Sequence, residues 1–388
     1  MPQVGQSFAY LDHASTSFPK APKVDQAMVE ALSQGNPGRS GHGSALSAQD
    51  LTQRVRKQVI SKFGVPDCGA VIFTAGATMS LNLAIKGILK RGDHAVTTSF
   101  DHNSVLRPLK EIESSHGCRL SIVKCANPSL LTDLIARELR PSTRLVAVTQ
   151  ASNVTGALLP VSDIAEMAHK VGAVLLVDCA QTVGHLRFDL ANLGADLVAF
   201  GAHKGLRGPP GIGILIVANT GSLDMAPLIN GGTGFHSDEL LPPREFPFAY
   251  EAGTANLPAI AGLEAALVYL ESSTSEEEKR MARTLKQNAM AKLTGIKGVN
   301  LLAADFSSPV PVFSFTIQGW KSTSIADALD RRYRLQVRGG LHCAPLMHES
   351  LGTGAVGAVR VSLGPGNTIE TVDRLHASVS ELTMRELD

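Results

Sequence analysis

Short apolar, β-branched runs alternate with helix-like stretches over roughly the first 220 residues. No other feature constrains the fold of this chain as strongly. The runs are 71–74, 95–98, 120–123, 145–149, 174–177, 197–200 and 212–217. They are apolar throughout rather than at every second position, which suits strands covered on both faces of a largely parallel sheet. Between them, Leu51, Val55, Val59 and Phe63 recur at i+4 spacing and mark one face of an amphipathic helix. The pattern predicts an α/β layered domain.

Beyond it the pattern changes. Residues 231–256 carry Gly231-Gly232, Gly234, Pro242-Pro243, Pro247 and Gly253 and read as a long irregular segment, a kind that is usually functional. Pro258 opens a helix with Ile260, Leu263, Leu267 and Leu270 on one stripe. Ser275 with Glu278 reads as a capping box that starts the next helix through Met281, Leu285 and Leu293. Alternating runs at 312–316 and 359–362 then predict a smaller α+β unit.

Composition narrows the function. The 388 residues carry 36 Lys+Arg against 35 Asp+Glu, a net charge of +1, without the basic excess of a nucleic-acid binder. A 44% hydrophobic share is enough for a sizeable core. Met1 to Tyr10 lacks the pattern of a signal peptide, and no apolar run reaches the length of about 18 residues that a membrane span needs. The expectation is a cytoplasmic protein that does not engage membranes. Its five cysteines, Cys68, Cys118, Cys125, Cys179 and Cys343, are odd in number and show no CxxC or zinc-ligand spacing. A disulfide framework and a structural metal are therefore not expected, and at least one thiol is free.

The most informative stretches are Leu176-Val177-Asp178-Cys179-Ala180-Gln181 and Phe200-Gly201-Ala202-His203-Lys204-Gly205. Asp178 and Lys204 each follow a strand-like run, at the edge where open α/β sheets bind ligands. A lone lysine there reads first as a solvated side chain and second as a Schiff-base amine. An acid at one strand end and a lysine at the next meet the needs of pyridoxal phosphate: a protonated ring nitrogen and an amine for the aldehyde. Residues 74–82 follow a run and open a helix, so the N–H groups there and the Thr78 hydroxyl suit a phosphate, although capping alone would favour the same residues. His102 closes another run, positioned either to stack on a ring or to sit satisfied in its loop.

Several ordered motifs carry a resemblance that runs almost end to end. They are Leu11-Asp12-His13-Ala14-Ser15-Thr16, Asn36-Pro37-Gly38-Arg39-Ser40-Gly41-His42, Ala151-Ser152-Asn153-Val154-Thr155-Gly156 and Glu251-Ala252-Gly253-Thr254. The chain resembles class V aminotransferase-type, pyridoxal-phosphate-dependent enzymes, near the cysteine desulfurases and selenocysteine lyases. The resemblance implies a fold type I α/β architecture, with a large cofactor-binding domain over 19–261 and a small α+β domain from 1–18 and 262–388. It implies pyridoxal 5′-phosphate on Lys204, with His203, Ala77 and Thr78 at its phosphate, Asp178 at the ring nitrogen and Gln181 at the ring oxygen. His102 would stack on the ring and move a proton. Asn153 and Arg360 would hold the carboxylate of a small amino-acid substrate, L-cysteine or selenocysteine. Thr233 would reach the phosphate of a neighbouring subunit in a homodimer.

Cys343 lies in Arg338-Gly339-Gly340-Leu341-His342-Cys343-Ala344-Pro345, which resembles the short catalytic loop of group II desulfurases. Arg338 and His342 would flank it and favour the thiolate, and Arg338 is counted with the substrate-binding residues. The other reading is a small apolar cysteine in a core. The chain departs from the family at Gly201, where many relatives have a phosphate-binding serine, at Phe235-His236, and over 347–357. The leading expectation is a cysteine desulfurase that leaves alanine and a persulfide on Cys343 and passes sulfur to an acceptor protein. A selenocysteine lyase or other C–S lyase on the same cofactor, a nucleotide-binding oxidoreductase and a non-catalytic scaffold are the alternatives.

Overall fold

A computed structural model of the chain describes residues 8–36, 41–234, 238–241, 243–306 and 308–384. Its main sheet has seven strands in the order Ala70–Thr74, Gly213–Val217, Leu197–Gly201, Val174–Asp178, Thr143–Thr149, His94–Thr98 and Arg119–Val123. The five strands from Arg119–Val123 to Leu197–Gly201 are parallel to their neighbours, and only Gly213–Val217 runs against the strands on either side. This is the α/β sheet that the apolar runs predicted. Val174 to Asp178, Leu197 to Gly201 and Gly213 to Val217 are buried throughout.

Helices cover both faces of this sheet. The Gly43–Phe63 helix turns Leu51, Val55, Val59 and Phe63 inward, is capped by the His42 side chain, and ends at Gly64 in the left-handed region. The Leu257–Leu270 helix packs on it and on Val24–Ala31, and buries Leu263 and Leu267. These residues belong to the same core cluster as Val177 and Phe200 of the sheet. The expected boundary at 261/262 thus falls inside a helix. The change of core comes after it, at the Ser273–Thr294 helix, whose Leu285 and Leu293 pack with Phe313, Phe315 and Val361.

That second helix also corrects the capping expectation. Ser272, not Ser275, is its N-cap, and the Ser272 hydroxyl accepts the Ser275 N–H. Ser275 is buried inside the first turn, and Glu278 reaches across to Arg207.

The second core lies beneath an antiparallel sheet in the order Arg338–Gly340, Ala358–Ser362, Val312–Ile317 and Val299–Leu301. Arg338 and Arg360 are direct partners across the first two strands. The N-terminal pair Ala9–Tyr10 runs parallel to Leu335–Gln336, and Leu11 enters this second core. The segment that follows, carrying Asp12 and Ser15, is thereby brought to the seam between the two sheets. Among the described residues no helix is long and apolar enough to cross a membrane.

Candidate active site

Four parallel strands deliver their carboxyl ends to one edge of the main sheet. His94–Thr98 leads to His102, Thr143–Thr149 to Asn153, Val174–Asp178 ends at Asp178, and Leu197–Gly201 leads to His203 and Lys204. The register sets Thr149 beside Asp178 and Asp178 beside Ala199. Ala77, Thr78, His102, Asn153, Asp178, Gln181, His203 and Lys204 line one cavity of about 640 Å³ at this edge. Eight residues singled out in the sequence from five separate segments therefore converge.

One end of the cavity suits an anion. The Ala77–Ile88 helix starts there from Gly76, and no side chain caps it, so its first N–H groups stay available. Gly213 permits this placement, because a Cβ at that position would lie 2.3 Å from the Gly76 carbonyl carbon. A Cβ at Gly201 would stand 3.2 Å from His203 Cδ2 and 3.6 Å from the Ala77 nitrogen. The missing side chain of Gly201 therefore leaves open the space between His203 and the helix start. A phosphate fits that cradle with backbone and histidine donors in place of the serine.

Electrostatics mark Lys204 and Asp178. Burial lowers the Lys204 ammonium to about 8, and Asp178 partly offsets this. Asp178 is buried and accepts the Ala180 N–H at 2.9 Å, and burial raises its carboxyl above the ordinary range. His102 is the N-cap of the Asn103–His116 helix, and its Nδ1 accepts the Ser104 N–H at 3.0 Å. In the neutral ring the proton is then on Nε2. Burial first, then Lys204, lower His102 to about 4, and the same two causes lower His203 to about 4. The Thr78 hydroxyl contacts Ser104 Oγ at 2.8 Å, so it is already tied to the His102 turn. Gln181 Nε2 donates to the Ala14 carbonyl at 3.1 Å, which leaves its second amide hydrogen for another acceptor.

The second sheet supplies the arginines. Arg360 is almost wholly buried and donates to Asp12 Oδ1 at 2.8 Å, to Ser15 Oγ at 2.7 Å and to the Asn153 carbonyl at 3.1 Å. Its Nε has no partner among the described residues, nor has Asn153 Oδ1. Buried polar atoms without partners are uncommon and costly. Arg338 donates to the same Ser15 Oγ at 2.8 Å and approaches Cys343 Sγ at 3.9 Å through Nη2.

Cys343 sits on the connection 341–344 between Arg338–Gly340 and the Pro345–Ser350 helix. Its thiol side is exposed, and its backbone is clamped from the main sheet. The Asn103 N–H donates to the Cys343 carbonyl at 2.7 Å, and Asn153 Nδ2 donates to the His342 carbonyl at 2.8 Å. His342 and Cys343 both have positive φ, 52° and 57°. Such backbone costs of order 1–3 kcal/mol per residue and persists only where the surroundings enforce it. The cationic flank expected of His342 is absent. Its ring is buried, burial and then Arg360 hold it at about 3, and the positive charge near the sulfur comes from Arg338, with Lys204 and Arg360 also in electrostatic reach.

Thr233 does not line the main cavity. It lines an adjoining one of about 360 Å³ that shares Ala75, Met79, Gly211 and Leu228 with the first. Glu251 of the 251–254 motif accepts the Phe73 N–H at 2.7 Å and a forked pair from Arg56, an anchor rather than a ligand site. Pro37 to Ser40, Phe235 and His236 lie outside the described residues. Sequence reasoning missed Asp12, Ser15 and Ser104 as organisers of the site. The first two lay within the Leu11–Thr16 motif, and that motif was their only signal.

The family model for Aminotransferase class-V matches residues 9–375. The chain belongs to this family. Among its relatives is a probable cysteine desulfurase of Methanothermobacter thermautotrophicus, 31% identical over 96% of this chain and 94% of the relative. The apo cysteine desulfurase of Thermococcus onnurineus NA1 superposes with a TM-score of 0.86 at 30% identity, covering 97% of this chain and 95% of the other. The cysteine desulfurase CsdA of Escherichia coli, solved as an S-sulfonic acid, gives 0.82 at 28% identity over 96% and 94% of the two chains.

Proposed function

We propose that this class V enzyme is a cysteine desulfurase that uses pyridoxal 5′-phosphate and carries sulfur as a persulfide on Cys343. The observation that carries the reading is Cys343 on a clamped loop, with Sγ beside Arg338 and within electrostatic reach of Lys204. The open cradle between Gly201, His203 and the Ala77–Ile88 helix start supports a phosphate there, held by Ala77 and Thr78. Lys204 would hold the cofactor, Asp178 its ring nitrogen and Gln181 its ring oxygen. Bound in this way, the cofactor supplies an electron sink that makes a substrate α-proton removable.

The chain's own residues account for the rest. Asn153 lines the cavity, Arg360 donates to its carbonyl, and the Arg360 guanidinium would suit the substrate carboxylate. With its ammonium lowered to about 8, Lys204 can release and take up a proton near neutral pH. His102, oriented by Ser104, offers Nε2 as a second proton carrier. Cys343 Sγ then bonds to the substrate sulfur, and the substrate Cβ–S bond breaks. Its electron pair stays on carbon, which takes up a proton, so the products are L-alanine and the Cys343 persulfide. An acceptor protein would remove that sulfur.

Thr233, in its adjoining cavity, would meet the phosphate of a second copy of the chain. Sedimentation of the holoenzyme at a single chain mass would refute the homodimer.

The decisive test is Cys343→Ala. Alanine formation from L-cysteine should fall at least about a thousandfold, the size of losing a covalent nucleophile. Elimination of chloride from β-chloro-L-alanine, which needs no thiol, should stay within about twofold, and the visible absorbance should be unchanged. Retained cysteine turnover would overturn the persulfide reading.

A further inference from the structure

Behind Cys343 lies a buried chain of side chains that the proposed reaction does not use. His342 Nε2 meets the Arg338 carbonyl at 3.1 Å, His342 Nδ1 meets His348 Nε2 at 3.3 Å, and His348 Nδ1 meets Thr353 Oγ1 at 2.8 Å. All three side chains are buried, and His348 has no exposure at all.

The direction of every proton in this chain can be deduced. A carbonyl only accepts, so His342 carries its hydrogen on Nε2 and presents a lone pair on Nδ1. His348 must then donate from Nε2, which leaves its own Nδ1 to accept from the Thr353 hydroxyl. Donation runs one way, from Thr353 through His348 and His342 to the backbone of Arg338. Both rings are neutral in this arrangement, consistent with burial lowering them to about 3 and about 4.

The placement matters because of what it ties together. His342 and Cys343 are consecutive residues in the left-handed region, which neither prefers. The His342 ring closes the turn from Arg338 to His342 on its inner side. Asn153 and Asn103 hold the same two residues from the outer side through their carbonyls. Arg338, whose carbonyl ends the chain, is also the residue whose guanidinium approaches Cys343 Sγ. Thr353 is itself fixed, since its N–H donates to the His348 carbonyl at 2.8 Å and its carbonyl accepts from Gly357.

The geometry points to His348 and Thr353 as positioning residues that act through His342 to hold the Cys343 thiol in its reactive place beside Arg338. This rests on the reading of Cys343 as the sulfur-accepting nucleophile. It predicts damage concentrated in the thiol step, because the side-chain hydrogen bonds from Thr353 through His348 and His342 to Arg338 involve no residue lining the main cavity.

The test compares Thr353→Val, which removes the hydroxyl at nearly constant shape, with Thr353→Ser, which retains it, in the holoenzyme. Thr353→Val should lower kcat for alanine formation from L-cysteine about tenfold with KM within twofold. It should also slow alkylation of Cys343 by iodoacetamide about threefold, followed by mass spectrometry. Chloride elimination from β-chloro-L-alanine should stay within twofold of wild type, and Thr353→Ser should restore both thiol readouts. Should Thr353→Val fail to fold, His348→Phe is held to the same criteria. Equal loss in the cysteine and chloroalanine reactions would make the chain a general packing element and overturn the inference. So would wild-type kcat and alkylation in Thr353→Val. A Cys343→Ala enzyme that still makes alanine from cysteine defeats the persulfide reading as well, whereas an inactive Cys343→Ala beside a wild-type Thr353→Val defeats this inference alone.

Discussion

The two residues proposed to react, Lys204 and Cys343, are held by opposite means. Lys204 follows directly from a buried strand of the main sheet, and its place is set by the register of Leu197–Gly201 against Val174–Asp178. Cys343 is on an exposed turn with strained backbone, and its place is set by side chains and N–H groups from elements far away in sequence. The lysine shares a low-dielectric site with Asp178, which tunes its ionisation. The cysteine is exposed, as the proposed outward transfer of sulfur would require. A continuous hydrogen-bonded ladder suffices to place the first, whereas the second depends on clamps that can be removed one at a time.

Three experiments probe this contrast. The largest effect is expected from Lys204→Ala. It should lower both the cysteine and the chloroalanine reactions at least about a thousandfold, unlike loss of Cys343, which spares the second. Near-normal chloroalanine turnover in this variant would break the division of labour. A smaller effect is expected from Arg360→Lys at the seam of the two regions. The Nη2 contacts to Asp12 and Ser15 are lost while the charge stays, and KM for cysteine should rise about ten- to a hundredfold, for a charged hydrogen bond of about 1.5–3 kcal/mol. An unchanged KM would remove Arg360 from substrate binding.

The smallest effect concerns pH and stability. Burial lowers His13, His102, His185, His342 and His348 in the folded chain to between about 3 and about 4. Between those values and the unfolded value near 6.5, the unfolded chain binds more protons, so stability rises with pH and is lost as pH falls below about 6.5. Asp101, raised to about 7 by burial, acts in the opposite sense but is outnumbered. The urea midpoint should therefore drop on acidification, and His348→Phe should flatten that dependence by up to about 1 kcal/mol per pH unit. A midpoint constant from pH 7 to pH 5 would contradict the neutral, buried state of these rings.

Much of the Lys204 region was legible in sequence. Apolar runs revealed the strands, and a functional residue just past a run is at the sheet edge whatever the details of packing. The cradle is legible in part, since Gly201 departs from the family pattern, whereas the space that it opens between His203 and Ala77 is set by how distant segments pack. The Ser275 cap was misplaced because Ser272, Ser273 and Ser275 offer nearly equivalent hydroxyls, and only the packing of the first turn selects among them. The expected boundary at 261/262 divides the Leu257–Leu270 helix, whose closely spaced apolar residues mark no end of the first core.

The Cys343 region shows what the sequence could not yield. His342 beside a cysteine reads as a cation, but burial makes it neutral and turns its ring toward His348. Asp12 and Ser15 are more than three hundred residues from Arg360, and nothing local signals that they share its guanidinium. The sequence by itself determined the parallel sheet, the edge that carries Asp178 and Lys204, and the presence of a cysteine in a glycine-flanked turn, because periodicity and strand ends are local properties. Only the tertiary structure decided which hydrogen bonds hold that turn, which histidines stay neutral and how the two arginines meet at Ser15. Those depend on burial and on distances between segments that a linear pattern does not encode.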